Sequence, residues 1–442
     1  MTGPVDAQIR QWRGYLEGRR RMRIDEVDEL ESHLRDTIAD LEARGLDGDE
    51  SFLVAVKRMG AADAVAREFA REHSDRLWKQ LVLGASEDST ARRGELPVVL
   101  ALGAGAGLAL LAVLHLLGEA APRFVGFAVA PFLVAYFAWK RAMPVRAAAG
   151  VLAGFGVMAA LLAAYRFAPG GATEVLAVVA APVALWFGVG VAYTGGAWRS
   201  APRRMDFVRF TGEFVIYFLL IALGGGAITG LTISALGAVG LNAEVPITEW
   251  VLPVCIGGAV LVAAWLVEAK QEVIENIAPV LTRIFTPITL LMLVVVLGAF
   301  ASRPGLIGVD RDLLVLMTVV LVLVVGLLLY AVSARDPRRR PDVFDRLQVA
   351  LVIAAIVVDL VVLIAMITRT AEFGTSPNKA AVLGLNLILL VILVGAAHLG
   401  FGFVRGRRDF VAVERWQTST LPAYAAWATV VALAFPPLFG FS

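Results

Sequence analysis

The sequence predicts an all-α protein, a polytopic bundle of about eleven transmembrane helices preceded by a small cytoplasmic helical bundle. Three observations predict it. Of the 442 residues, 58% are hydrophobic and only 18% are charged, against roughly 45–50% and about 25% in soluble domains. The charge is unevenly placed, with 16 of 40 basic and 20 of 38 acidic side chains within residues 1–96. Beyond Pro97 the chain is a series of apolar runs separated by short basic segments. Many runs approach the about 20 residues that cross about 30 Å of hydrocarbon as a helix.

The same figures disfavour several function classes. A mean hydropathy of +0.75 argues against a soluble enzyme or a disordered chain. A net charge of +2 creates no field for a polyanion, so no direct nucleic-acid partner is expected. The single cysteine, Cys255, cannot close an internal disulfide, and His33, His73, His115 and His398 are too scattered to form a metal cluster. Walker A, HExxH, GxSxG and paired-cysteine motifs do not occur. The reading is therefore of a non-enzyme with no cofactor and no metal.

The polar N-terminal segment, 1–84, reads as a helical domain. Ile24, Val27, Leu30, Leu34, Ile38 and Leu41 recur every three or four positions, and Asp25, Glu29, Arg35, Asp36 and Asp40 fill other faces. Gly45 is a suitable stop. A second helix is expected at about 48–59, with Asp49 and Glu50 where the helix dipole favours acid. Further helices are expected at about 62–73 and 4–20, the latter through Ile9, Trp12 and Leu16. The first residues lack the apolar core of a cleavable signal. Residues 85–96 read as a flexible linker, and 97–441 as the membrane domain.

The ELESHLRD stretch (Glu29 to Asp36), the RGL turn (Arg44 to Leu46) and the Met59-Gly60 and Arg67-Glu68-Phe69 spacing resemble the permease prefix domain, also called the HAAS signalling domain. The likeness covers roughly residues 5–75. It implies a bacterial regulatory or coupling module placed before a membrane domain, with a cytoplasmic regulator protein as partner. It implies no chemistry.

The expected spans are about 97–117, 124–139, 145–165, 175–195, 212–240, 250–268, 283–302, 313–333, 347–368, 380–403 and 421–441. Alternate loops then hold 18 and 6 basic residues. The richer set runs from Lys140, Arg141 and Arg146 through Arg335–Arg340 to Arg415, and the poorer set includes Arg123, Arg166 and Lys379. Because cytoplasmic loops keep Lys and Arg, the N-terminus is expected in the cytoplasm and Ser442 outside. Trp139, Trp198, Trp250 and Trp416 fall at span ends, where interfacial tryptophans belong. From about residue 205, Leu281 to Leu293, Ser376 to Leu387 and Arg415 to Phe439 resemble a multi-pass bacterial membrane family known only as a domain of unknown function. That likeness implies a shared membrane fold and transfers no site residue.

Within the apolar runs the outlier is Asp359, about twelve residues or ~18 Å from the cytoplasmic end of its span. A carboxyl at that depth is either a proton, cation or substrate site or a neutral hydrogen-bonding contact between helices. Asn386, in the next antiparallel span, lies at a similar depth and is a candidate partner. Gly224, Gly225 and Gly226, followed by Thr229, interrupt the long fifth run. They suggest either a broken helix at a central site or close helix packing through small residues, with packing favoured. Glu213 and Tyr217 share a helix face four residues apart, and a solvated interfacial glutamate is the favoured reading. His115 and His398 read as interfacial, and the basic stretch Arg335–Arg340 as a topology determinant and anionic-lipid contact. Glu268, Lys270, Glu272 and Glu275 read as one solvated face.

Two functions fit these residues. One is an integral membrane sensor or regulator that couples the membrane domain to the N-terminal module. The other is a secondary transporter with Asp359 as coupling site. Beyond the lipid bilayer, the expected partners are the cytoplasmic regulator and further copies of the chain.

Overall fold

The computed structural model describes residues 8–9, 24–43, 46–59, 87–269, 277–301, 311–335 and 339–442. Every regular element among them is helical. The chain divides into two compact units, Met1–Glu95 and Leu96–Ser442.

In the first unit, α1 (Ile24–Ala43) packs against α2 (Gly48–Met59). The buried residues are the periodic ones: Leu34, Ile38 and Leu41 on α1, and Phe52, Ala55 and Val56 on α2. Asp49 and Glu50 occupy the first turn of α2, as its dipole favours. The helix expected at 62–73, and all of the one at 4–20 except the helical Gln8 and Ile9, lie outside the described residues. The expected linker is a correction. From Glu87 onward it is helical and continuous with the first apolar segment, forming α3 (Glu87–Leu117). Glu, Asp, Ala and Arg in that stretch do not oppose a helix once an apolar helix follows directly.

Nine helical runs among the described residues are long and apolar enough to cross a membrane. Two features separate this number from eleven. The first run, Glu95–Lys140, counts as one of 46 residues. At φ +51°, Gly118 turns the chain through a 3-10 segment, Gly118–Phe124, into α4 (Val125–Lys140). A Cβ on Gly105 would lie 2.6 Å from the Phe132 ring, so α3 and α4 lie side by side. The last apolar stretch is divided into α14 (Leu421–Leu433) and α15 (Phe435–Leu438). Pro436 and Pro437 lack the amide hydrogens that a continuous helix would use.

Between them run α5 (Val145–Ala164), α6 (Ala172–Tyr193), α7 (Ala201–Ala238), α8 (Leu252–Ala269), α9 (Ile277–Ala301), α10 (Arg311–Ser333), α11 (Val343–Phe373), α12 (Pro377–Val404) and the short α13 (Phe410–Ser419). A π-helical turn, Ile247–Val251, leads into α8. They form two hydrophobic cores. The first gathers α4, α5, α6, α8 and α14 around Tyr136, Phe137, Leu185 and Leu261. The second gathers α10 to α13 around Leu321, Val358 and Leu393. α7 serves both, giving Phe207, Phe210 and Phe214 to one and Met205 and Val208 to the other.

Glycine sets the closest approach, at the crossing of α3 and α8. A Cβ on Gly257 would lie 2.6 Å from the Gly107 Cα, and one on Gly103 would touch Gly258. Small residues let two backbones pack directly where lipid removes the hydrophobic drive between helices.

Candidate functional site

A cavity of about 480 Å³ opens where α4, α6, α7 and α8 end. Its lining includes Arg141, Tyr193, Arg203, Asp206, Arg209 and Glu213. Arg141 follows the last turn of α4, and its Nη2 donates to both carboxylate oxygens of Glu268 on α8, at 2.9 and 2.8 Å. Its guanidinium also lies 4.8 Å from the centre of the Tyr193 ring, a cation–π contact. Both bonds leave one nitrogen, and together with the ring contact they anchor the guanidinium on this wall. Arg203 donates from Nη1 to the Thr194 carbonyl at 2.8 Å, and Arg209 donates from Nε and Nη2 to the Ser333 carbonyl.

Glu213 is a correction. Its side chain is only 3% exposed and lines this cavity, so it is no solvated surface residue. The helix begins at Ala201, eleven residues before the expected start, which carries Glu213 inward from the helix end. Tyr217, one turn on, packs against the first core. Likewise Glu268 is not a solvated residue but the buried carboxylate between Arg141 and Lys140. The remaining acids of that expected face lie outside the described residues.

Asp359 has 0% exposure, and neither carboxyl oxygen has a hydrogen-bond partner. It sits among the apolar side chains of the second core, beside Val358 and Val362 on α11. Asn386 is also fully buried, but its Nδ2 donates to the Thr318 hydroxyl on α10 and to the Val382 carbonyl, both at 2.9 Å. The hydrogen bond that similar depth allows between Asp359 and Asn386 does not form, and Asn386 bonds Thr318 instead. Similar depth on antiparallel helices does not make two side chains face each other. Asp359 is not among the residues that line the 480 Å³ cavity or the smaller one beside Gln348 and Gln417.

The glycine run is a second correction. α7 continues unbroken through Gly224-Gly225-Gly226 to Ala238. A Cβ at any of the three would meet nothing within 4 Å, so neither a break nor close packing occurs there. Thr229 lies half-buried on the same unbroken stretch.

Arg335 was legible only as part of a basic segment. In the structure its Nε and Nη2 donate to Asp345 at 2.7 and 2.9 Å. Its guanidinium also stands 4.6 Å from the ring centres of both Phe403 and Phe410. Asp345 completes a capping box with Asp342 at the start of α11. The starts of α11 and α13 and the end of α12 thus meet on this one side chain, which follows the end of α10. His398 contacts Arg408, and the His115 ring lies 4.3 Å from the Trp250 ring.

Comparison of the chain with family models, with curated proteins and with solved structures finds no match. The class that the fold defines is a multi-pass α-helical protein of membrane type.

Proposed function

We propose that the chain is an integral membrane sensor or regulatory protein. Its membrane domain receives a signal at the basic-end cavity and passes it to the N-terminal helical module, which hands it to a cytoplasmic partner. The observation that carries this reading is the polar cavity lined by Arg141, Arg203, Arg209, Asp206 and Glu213. It lies at the helix ends that the arginine bias assigns to the cytoplasm. The likeness of residues 5–75 to a permease prefix domain supplies the coupling half of the proposal.

Contacts between loops support eleven crossings with the N-terminus inside and Ser442 outside. Arg141–Glu268, Arg209–Ser333 and Arg335–Asp345 join ends expected in the cytoplasm. Arg123–Glu174, Thr173–Ser442 and His115–Trp250 join ends expected outside. The transport reading leaned on Asp359, and a carboxyl enclosed in an apolar core gives it little support.

Cross-linking in intact membranes tests the proposal. The full chain is expected to capture a cytoplasmic protein that a chain lacking residues 1–84 does not. Capture of the same proteins by both chains overturns the sensor reading. Dye-loaded proteoliposomes test the rival: proton flux abolished by Asp359→Asn would put a transporter in its place.

A further inference from the structure

We propose that the basic-end cavity binds a phosphoethanolamine group, carried either by a membrane lipid or by the free phosphomonoester. About 480 Å³ lies within the roughly 300–1,000 Å³ typical of small-molecule sites. The charge of the lining decides the class. Arg141 is already neutralised by Glu268, so the open charges of the lining are Arg203, which would repel a simple cation, and Asp206, which would repel a simple anion. A zwitterion satisfies both signs.

Two of these charges are ready to receive it. Arg203 and Asp206 stand one turn apart on α7 and form no ion pair with each other or with another described side chain. Arg203 uses one donor on the Thr194 carbonyl. The rest of its five-donor fork suits phosphate oxygens. Among the described residues nothing donates to Asp206, whose exposed carboxylate suits a primary ammonium. Arg141 is held by Glu268 and stacked on Tyr193, so it forms the fixed wall. Phe210 and Val267 provide apolar surface for the two-carbon link between phosphate and amine. The cavity lies where helices end, at the level of lipid headgroups by the same arginine bias. The inference rests on the sensor reading for its consequence alone, since lipid binding is measured without any partner.

The test is native mass spectrometry of the full chain, purified in detergent with equal phosphatidylethanolamine, phosphatidylglycerol and phosphatidylcholine. Phosphatidylethanolamine is expected to be retained over the other two. Arg203→Gln should lower retention of phosphatidylethanolamine and phosphatidylglycerol about tenfold, and Arg203→Lys should restore part of it. Asp206→Asn should erase the preference for the amine headgroup while keeping phosphatidylglycerol. Displacement of retained lipid by soluble phosphoethanolamine assigns the free compound as the source, and its failure assigns the lipid. Both positions are exposed, so the variants are expected to stay monodisperse. Wild-type retention in both glutamine and asparagine variants, or equal retention of phosphatidylcholine, means adventitious belt lipid only and overturns the proposal. Partner capture is scored separately, so loss of lipid binding and loss of coupling are told apart.

Discussion

The two halves of α7 differ in surroundings, although both are apolar enough to read as one membrane segment. From Met205 to Phe218 the helix is a packing hub. Phe214 and Phe218 stack at 5.9 Å, Phe210 stacks on Tyr193 at 4.7 Å and meets Phe137 edge-on at 5.2 Å, and Trp186 donates to Thr211. From Leu219 to Ala238 most side chains are exposed, including Leu223, Ile228 and Leu231. At 38 residues the helix rises about 57 Å, more than a hydrocarbon core of about 30 Å requires. Apolar content alone therefore does not distinguish a protein-facing from an open face. The aromatic side chains do, because their area and ring geometry reward neighbours that glycine and alanine cannot hold.

Substitutions break or sharpen this contrast, and the largest effect is expected away from α7. Gly257→Leu should prevent folding, since its side chain would enter the Gly107 backbone; loss of a monodisperse peak in size-exclusion chromatography checks it. Phe210→Ala should lower stability by about 3–5 kcal/mol, read from thermal unfolding in detergent. Thr211→Val leaves the Trp186 indole without its acceptor and should cost about 1–3 kcal/mol in the same assay. Gly225→Ala in the outer half should change stability by no more than about 0.5 kcal/mol, because nothing lies within 4 Å of the added carbon. A large loss there would mean that the outer half is packed in the membrane.

Glycines illustrate what was legible. Gly224-Gly225-Gly226 stood out as a cluster, whereas Gly107 and Gly257 did not, although only the latter pair touches another backbone. Helix contact depends on which faces meet across 150 positions, and a local pattern holds no such term. Asp359 and Glu213 follow the same logic. The depth of Asp359 could be counted along its run, but its enclosure by apolar side chains required the neighbouring helices. The apolar run alone starts this helix at about residue 212, eleven residues after Ala201, and so places Glu213 at a helix end where the structure has it inside one.

Helical class, membrane-length segments and the alternation of basic loops follow from the sequence alone. Each is a property of a contiguous stretch: hydrocarbon requires that a segment pair its own amides, and length and charge are read along it. The Arg141–Glu268 pair, spanning 127 positions, the Arg335 clamp and the ring of charges around the basic-end cavity were decided by tertiary structure. Those contacts join helices distant in sequence, and only the packing of one helix on another determines which side chains share a space.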